Sequence, residues 1–126
     1  MLRKNLEFGK IAEKEAVEFL KTKGYNILKV NYKTKLGEID IIGQDKDTIC
    51  FVEVKARHSL DFGQPCEAVS FKKQMQISKA AVYYLKINNL IEHLARFDVL
   101  SILYQGNVGE MSLIKNAFEL SSRFTI

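Results

Sequence analysis

The sequence predicts an α/β fold, one mixed five-stranded sheet flanked by helices in the order αβββαββ. Three observations carry this. Two segments repeat apolar residues at helical spacing. Five short segments alternate, or run apolar, in the manner of strands. The second helical segment falls between the third and fourth strands, so one sheet with a helix on each face buries both apolar stripes. The chain has 126 residues, which suits one core, so residues 1–126 are expected to form a single domain.

The first helix is expected from about Lys4 to Lys23. Phe8, Ile11, Ala12, Ala16, Phe19 and Leu20 recur at helical spacing, and Gly24 is a stop signal. Tyr25 to Tyr32 alternates loosely and reads as a strand. Two apolar strands follow, 37–43 and 49–55, joined through the polar turn 44–48. His58 to Gln64 reads as a loop closed by Pro65. The second helix spans about Ser70 to Ile87, with Ile77, Ala80, Ala81, Tyr84 and Leu85 as its stripe. Arg96–Tyr104 and Val108–Ile114 are strands around a turn at Gln105-Gly106-Asn107.

The totals exclude several classes. A 47% hydrophobic fraction is ordinary for a folded soluble chain, and there is no Pro-rich or Ser/Gly-rich linker and no internal repeat. No stretch is apolar enough to span a membrane, and the basic N-terminus lacks the apolar run of a signal peptide. The net charge of +4 and the pI of about 9.0 suit a polyanionic partner without demanding one. Cys50 and Cys66 make no metal or redox motif, so a reducing cytoplasm and no disulfide are expected.

The chemistry concentrates in the hairpin. If Lys46-Asp47 is a two-residue tip, Asp40 faces Glu53 and Glu38 faces Lys55, and alternation puts Glu53 and Lys55 on one face. Like charges opposite each other destabilise a sheet, and buried carboxylates without partners are costly. A cation between Asp40 and Glu53 resolves both problems, with the Val54 carbonyl as a further oxygen ligand. Lys55 is placed to orient a water and stabilise developing negative charge. The competing explanation is a Glu38–Lys55 ion pair with Asp40 and Glu53 on a wet face; the apolar neighbours Ile39, Ile41, Phe51, Val52 and Val54 argue against it. In the first helix, Glu13 and Glu15 both fall within the apolar arc that includes Leu6 and Val17, and the helical wheel does not choose between them.

Taken together, Glu13, Gly37-Glu38-Ile39-Asp40, Phe51-Val52-Glu53-Val54-Lys55, Phe62-Gly63 and Arg96-Phe97-Asp98-Val99 resemble the YraN family of small bacterial proteins. That family resembles a branch of the PD-(D/E)XK nuclease superfamily and is similar to the archaeal Holliday-junction resolvases. The resemblance implies a restriction-endonuclease-like core. It also implies metal-dependent hydrolysis of DNA phosphodiester bonds, with Mg²⁺ or Mn²⁺ as cofactor. It assigns Asp40 and Glu53 as metal ligands, Lys55 as the catalytic lysine, and Glu13 rather than Glu15 as the helix-one acid. The partners it implies are DNA, branched forms included, and a second copy of the chain, in recombination or repair. The alternative is a non-catalytic nucleic-acid-binding module of the same fold, working with a repair or recombination partner.

Lys33, Lys35, Arg57, Lys72 and Lys73 are the candidates for contacting phosphates that flank the scissile bond. Lys79 and Gln74 share the helix of Lys72 and Lys73, and the resemblance implies that Lys73 or Gln74 reaches the site. His58 and His93 lack zinc spacing and read as surface or loop residues. Asp98, after Arg96-Phe97, is expected to pair with a base and fix the fold. Tyr83 and Tyr84 are expected to pack rather than stack on bases, and Phe118 with the last residues to cover an edge or a partner.

Overall fold

The computed structural model describes residues 2–58 and 69–120, with side chains from Phe8 onward. Phe62-Gly63, Pro65, Cys66, the side chain of Leu6 and the residues after 120 lie outside the described residues, as does most of the loop expected between His58 and Gln64.

The chain runs α1 (Leu2–Thr22), β1 (Asn26–Lys33), β2 (Glu38–Asp45), β3 (Thr48–Arg57), α2 (Phe71–Ile87), β4 (Ala95–Gln105) and β5 (Val108–Phe118). The sheet order is β1-β2-β3-β4-β5, with β3 and β4 parallel and the other pairs antiparallel. The expected mixed sheet is therefore present, with α2 as the crossover between the parallel pair. Both hairpin strands run further than expected, because the turn between them is only Lys46-Asp47. The strand β5 reaches Phe118 rather than Ile114, and Phe118 pairs in register with Phe97 and stacks on it, the ring centroids 4.8 Å apart.

Local chemistry sets the helix ends. Gly24 adopts φ of 92°, which favours glycine, and lets the chain leave α1 in a Schellman turn. There the Tyr25 N–H donates to the Leu20 carbonyl and the Gly24 N–H to that of Lys21, each at 3.0 Å. The Ser70 hydroxyl caps α2 by accepting the Lys73 N–H at 3.2 Å.

Each helix covers one face of the sheet. Ala12, Ala16 and Leu20 of α1 pack on Ile41, Cys50, Val52, Leu100 and Ile102. Ile77, Ala80, Ala81, Tyr84 and Leu85 of α2 pack on Ile39, Ile42, Phe51, Phe97 and Val99. Each fully buried aliphatic or Phe side chain contributes about 1.5–3 kcal/mol. Cys50 is a packed thiol within the first cluster, and burial pushes it up to about 12.

Asp98 fixes the fold as expected. It is fully buried and accepts hydrogen bonds from Arg96 Nε at 2.9 Å, the Tyr25 hydroxyl at 3.0 Å and the Asn116 N–H at 2.9 Å. Arg96 also reaches Asp45 at 2.9 Å, where Lys115 joins at 3.1 Å. Tyr84 packs as expected, edge-on to Tyr32 and Phe51. Tyr83 does not, being 43% exposed.

Candidate metal and phosphodiester site

The site forms where the β2–β3 ladder ends. The last pair in register is Ile41 with Val52, which is the register a Lys46-Asp47 tip dictates. One residue further, at Asp40, β2 departs from β3. Strict alternation would put Ile39 and Ile41 on one face, yet Ile39 packs toward α2 and Ile41 toward α1. The strand therefore rotates at Asp40. On the neighbouring strand, Asn31 lies between the pairs Val30–Ile41 and Tyr32–Ile39 and adopts φ of 54°, a conformation Asn tolerates. The Asp40 carboxylate takes over the lost ladder contact by accepting the Val54 N–H at 2.8 Å. A strand residue presents N–H and C=O on the same edge, so the Val54 carbonyl lies on this edge as well.

Glu53 shares the α2 side of β3 with Phe51 and is only 6% exposed. Burial pushes its carboxyl up to about 8, and the adjacent Asp40 carboxylate adds to the shift, while Lys73 and Lys55 oppose it. Lys73 Nζ, from α2, stands 3.9 Å from Glu53 Oε2. Glu13 enters from α1. Burial and then Asp40 raise its pKa, and Asn31 Nδ2 donates to its Oε1 at 2.6 Å. Glu13, Asn31, Lys33, Glu38, Asp40 and Val54 line a cleft of about 410 Å³.

Asp40 thus stands between two groups, with Glu13 beside it in the cleft on the α1 side and Glu53, Lys55 and Lys73 on the α2 side; Glu53 and Lys55 do not line that cleft. The expected pairing of Glu38 with Lys55 is not formed, because the ladder has ended; Glu38 is in register with Lys33 on β1 instead. Glu15, the other helix-one acid, is turned away from the cleft and accepts a hydrogen bond from the Tyr104 hydroxyl. Of the basic residues, Lys33 lines the cleft, Lys35 is exposed on the β1–β2 turn, and half-buried Arg57 ends β3. Lys72 and Lys79 are exposed on α2, whereas the Gln74 side chain donates to the carbonyl of Val69, ahead of the helix, at 3.0 Å. His58 is exposed and stacks on Phe8, and half-buried His93 contacts the Leu94 carbonyl through Nδ1.

Sequence reasoning missed Asn31, one of four polar residues in the loosely alternating β1, and nothing in that local pattern sets it apart. It also left unexplained why Gly37 precedes Glu38. A Cβ there would lie 2.4 Å from the Gln76 carbonyl oxygen, so only glycine lets the β1–β2 turn meet the backbone of α2.

Among the described residues no set of three or more His, Cys, Asp and Glu side chains is arranged to hold a metal. The donors that fit a hard cation are the Asp40 and Glu53 carboxylates with the Val54 carbonyl, an all-oxygen set of the kind Mg²⁺ and Mn²⁺ prefer.

Residues 12–102 match the Uncharacterised protein family UPF0102. A UPF0102 protein of Syntrophus aciditrophicus is 46% identical over 120 residues, covering 95% of this chain and 94% of its own. One from Caldicellulosiruptor bescii is 48% identical over 115 residues, covering 89% and 97%. One from Acetivibrio thermocellus is 49% identical over 116 residues, covering 87% and 89%. On this evidence the chain belongs to family UPF0102, the YraN family anticipated from its motifs.

Proposed function

We propose that the protein is a metal-dependent endonuclease that hydrolyses DNA phosphodiester bonds, with branched, Holliday-junction-like DNA in recombination or repair as its substrate. The observation that carries this reading is the pairing of Asp40 with Glu53, which is 6% exposed, at the point where the ladder opens. Two adjacent carboxylates, one of them buried, favour a cation between them.

Asp40, Glu53 and the Val54 carbonyl would hold Mg²⁺ or Mn²⁺, which when bound acidifies water and offsets charge on the phosphoryl oxygens. Lys55 supplies positive charge where the transition state becomes more negative. Glu13 borders the α1 side of the cleft, held in place by Asn31. Lys33, Lys35, Arg57, Lys72 and Lys73 neutralise flanking phosphates. Each such contact on duplex DNA adds about −0.9 to the slope of log affinity against log salt.

The test is DNA cleavage and thermal melting with and without Mn²⁺. Asp40→Asn, which keeps an acceptor for the Val54 N–H, is expected to lose both cleavage and the Mn²⁺-dependent rise in Tm. Lys55→Ala is expected to keep the rise and lose cleavage. Wild-type cleavage by Lys55→Ala, or no rise in the wild type, overturns the assignment.

A second reading, a non-catalytic DNA-binding module, draws support from Lys73. Its ammonium gives Glu53 a counter-cation from within the protein. On that reading the wild type binds DNA with the salt dependence above but gains nothing from Mn²⁺.

A further inference from the structure

The outward stripe of α2 is not uniformly polar. Lys72, Gln76, Lys79, Tyr83 and Ile87 follow one another at helical spacing and all are exposed. The β1–β2 turn lies beside this stripe, seated by the close approach of Gly37 to the Gln76 backbone. The Thr34 hydroxyl accepts the Leu36 and Gly37 N–H groups at 3.0 Å and donates to the Gly37 carbonyl at 2.9 Å, so the turn is ordered before any ligand arrives. Between turn and helix is a cleft of about 600 Å³ lined by Tyr32, Lys33, Lys35, Leu36, Tyr83 and Ile87.

Two properties of this cleft point to one ligand. Its exposed apolar groups, Leu36 at 51%, Tyr83 at 43% and Ile87 at 55%, offer flat or greasy surface that water leaves readily. The exposed ammonium groups of Lys33 and Lys35 stand beside them, and those of Lys72 and Lys79 lie further along the stripe. An aromatic ring flanked by cations is what a single-stranded nucleic acid uses, its base stacking on the ring and its phosphates meeting the cations. A continuous duplex cannot use the ring, since its bases are already stacked on each other. The cleft also adjoins the carboxylates, because Lys33 lines both it and the cleft that holds Glu13 and Asp40.

We propose that this groove binds an unpaired, single-stranded segment of DNA, with Tyr83 stacking on one base and Lys33 and Lys35 holding the adjoining phosphates. This rests on the nuclease reading for its purpose but not for its test. The groove would select DNA in which a single strand leaves a duplex next to the bond to be cut.

Fluorescence anisotropy tests it, with a labelled oligothymidylate and a labelled blunt duplex, in chelator so that nothing is cleaved. Tyr83→Ala is expected to weaken oligothymidylate binding about tenfold while changing duplex binding by less than about twofold. Tyr83→Phe, which keeps the ring, is expected to bind as the wild type does. Unchanged Tm in each variant shows that the fold is intact. Oligothymidylate binding by Tyr83→Ala at wild-type strength overturns the proposal, as does a wild type that binds the duplex more tightly. Equal rescue by Tyr83→Leu also overturns it, since that marks a merely apolar surface. If Tyr83-dependent binding persists in a protein that never cleaves with Mn²⁺, the groove stands and the nuclease reading falls. If cleavage proceeds without Tyr83-dependent binding, the groove falls alone.

Discussion

Lys73 Nζ lies 3.9 Å from Glu53 Oε2, an ion pair that ties α2 to the most buried carboxylate of the candidate site. The ammonium and a divalent cation would compete for the same charge. Removing the positive charge that lies 3.9 Å from the Glu53 carboxylate favours a cation on that carboxylate by about 1 kcal/mol, a roughly fivefold lower Kd. Lys73→Met is therefore expected to bind Mn²⁺ more tightly while melting lower in chelator above about pH 8, where Glu53 is ionised. Calorimetric titration checks the first and thermal melting the second; weaker Mn²⁺ binding would show that Lys73 assists the cation rather than displacing it.

Glu53 predicts a pH dependence. Its pKa rises on folding from an ordinary 4.5 to about 8, chiefly through burial. The folded protein therefore holds a proton that the unfolded chain has lost between those values. Stability is full below the lower value, falls as pH rises toward the upper one, and is level beyond it. Urea midpoints in chelator across this range are expected to show the decline in the wild type and a flatter profile in Glu53→Gln.

Gly37→Ala is expected to lower stability by about 1–3 kcal/mol, in the manner of an overpacked contact. The added Cβ meets a helix carbonyl oxygen at 2.4 Å and a carbonyl carbon at 2.9 Å, neither of which can swing aside. Denaturant midpoints measure the loss. A smaller shift would mean that the β1–β2 turn lifts from α2, and single-strand binding by the groove should then fall with it.

Arg96 supports the fold at the opposite end of the hairpin. Arg96→Met leaves Asp98, which has no exposed surface, without its cation and is expected to cost about 3–5 kcal/mol in urea unfolding. It should leave the Mn²⁺-dependent rise in Tm intact, because none of its partners belongs to the acid cluster.

Much of the fold was legible because two periodicities are clean. The α2 stripe from Ile77 to Leu85 and the hairpin tip at Lys46-Asp47 each admit few arrangements, and both occur. The tip then placed Asp40 near Glu53 without further information. What alternation could not give was the rotation at Asp40. That rotation depends on Asn31 of another strand and on a carboxylate replacing a ladder acceptor, and neither leaves a mark in the local pattern. The pairing of Glu38 with Lys55 failed for the same reason, since it assumed a ladder that continues. Tyr83 and Tyr84 are neighbours of identical type, and the stripe through Ile77, Ala80, Ala81, Tyr84 and Leu85 takes in only the second, which is buried while the first is exposed.

The two carboxylates at the ladder's end stand differently under selection. Asp40 holds the Val54 N–H and so serves the fold whether or not any chemistry occurs. Glu53 burdens the fold, since a buried acid beside another acid is a standing cost. If the proposed catalysis holds, a lineage released from it would be expected to keep the first and drift at the second, toward Gln or an apolar residue. Among relatives, then, Asp40 alone carries little news about activity, and an intact Glu53 is the informative survivor.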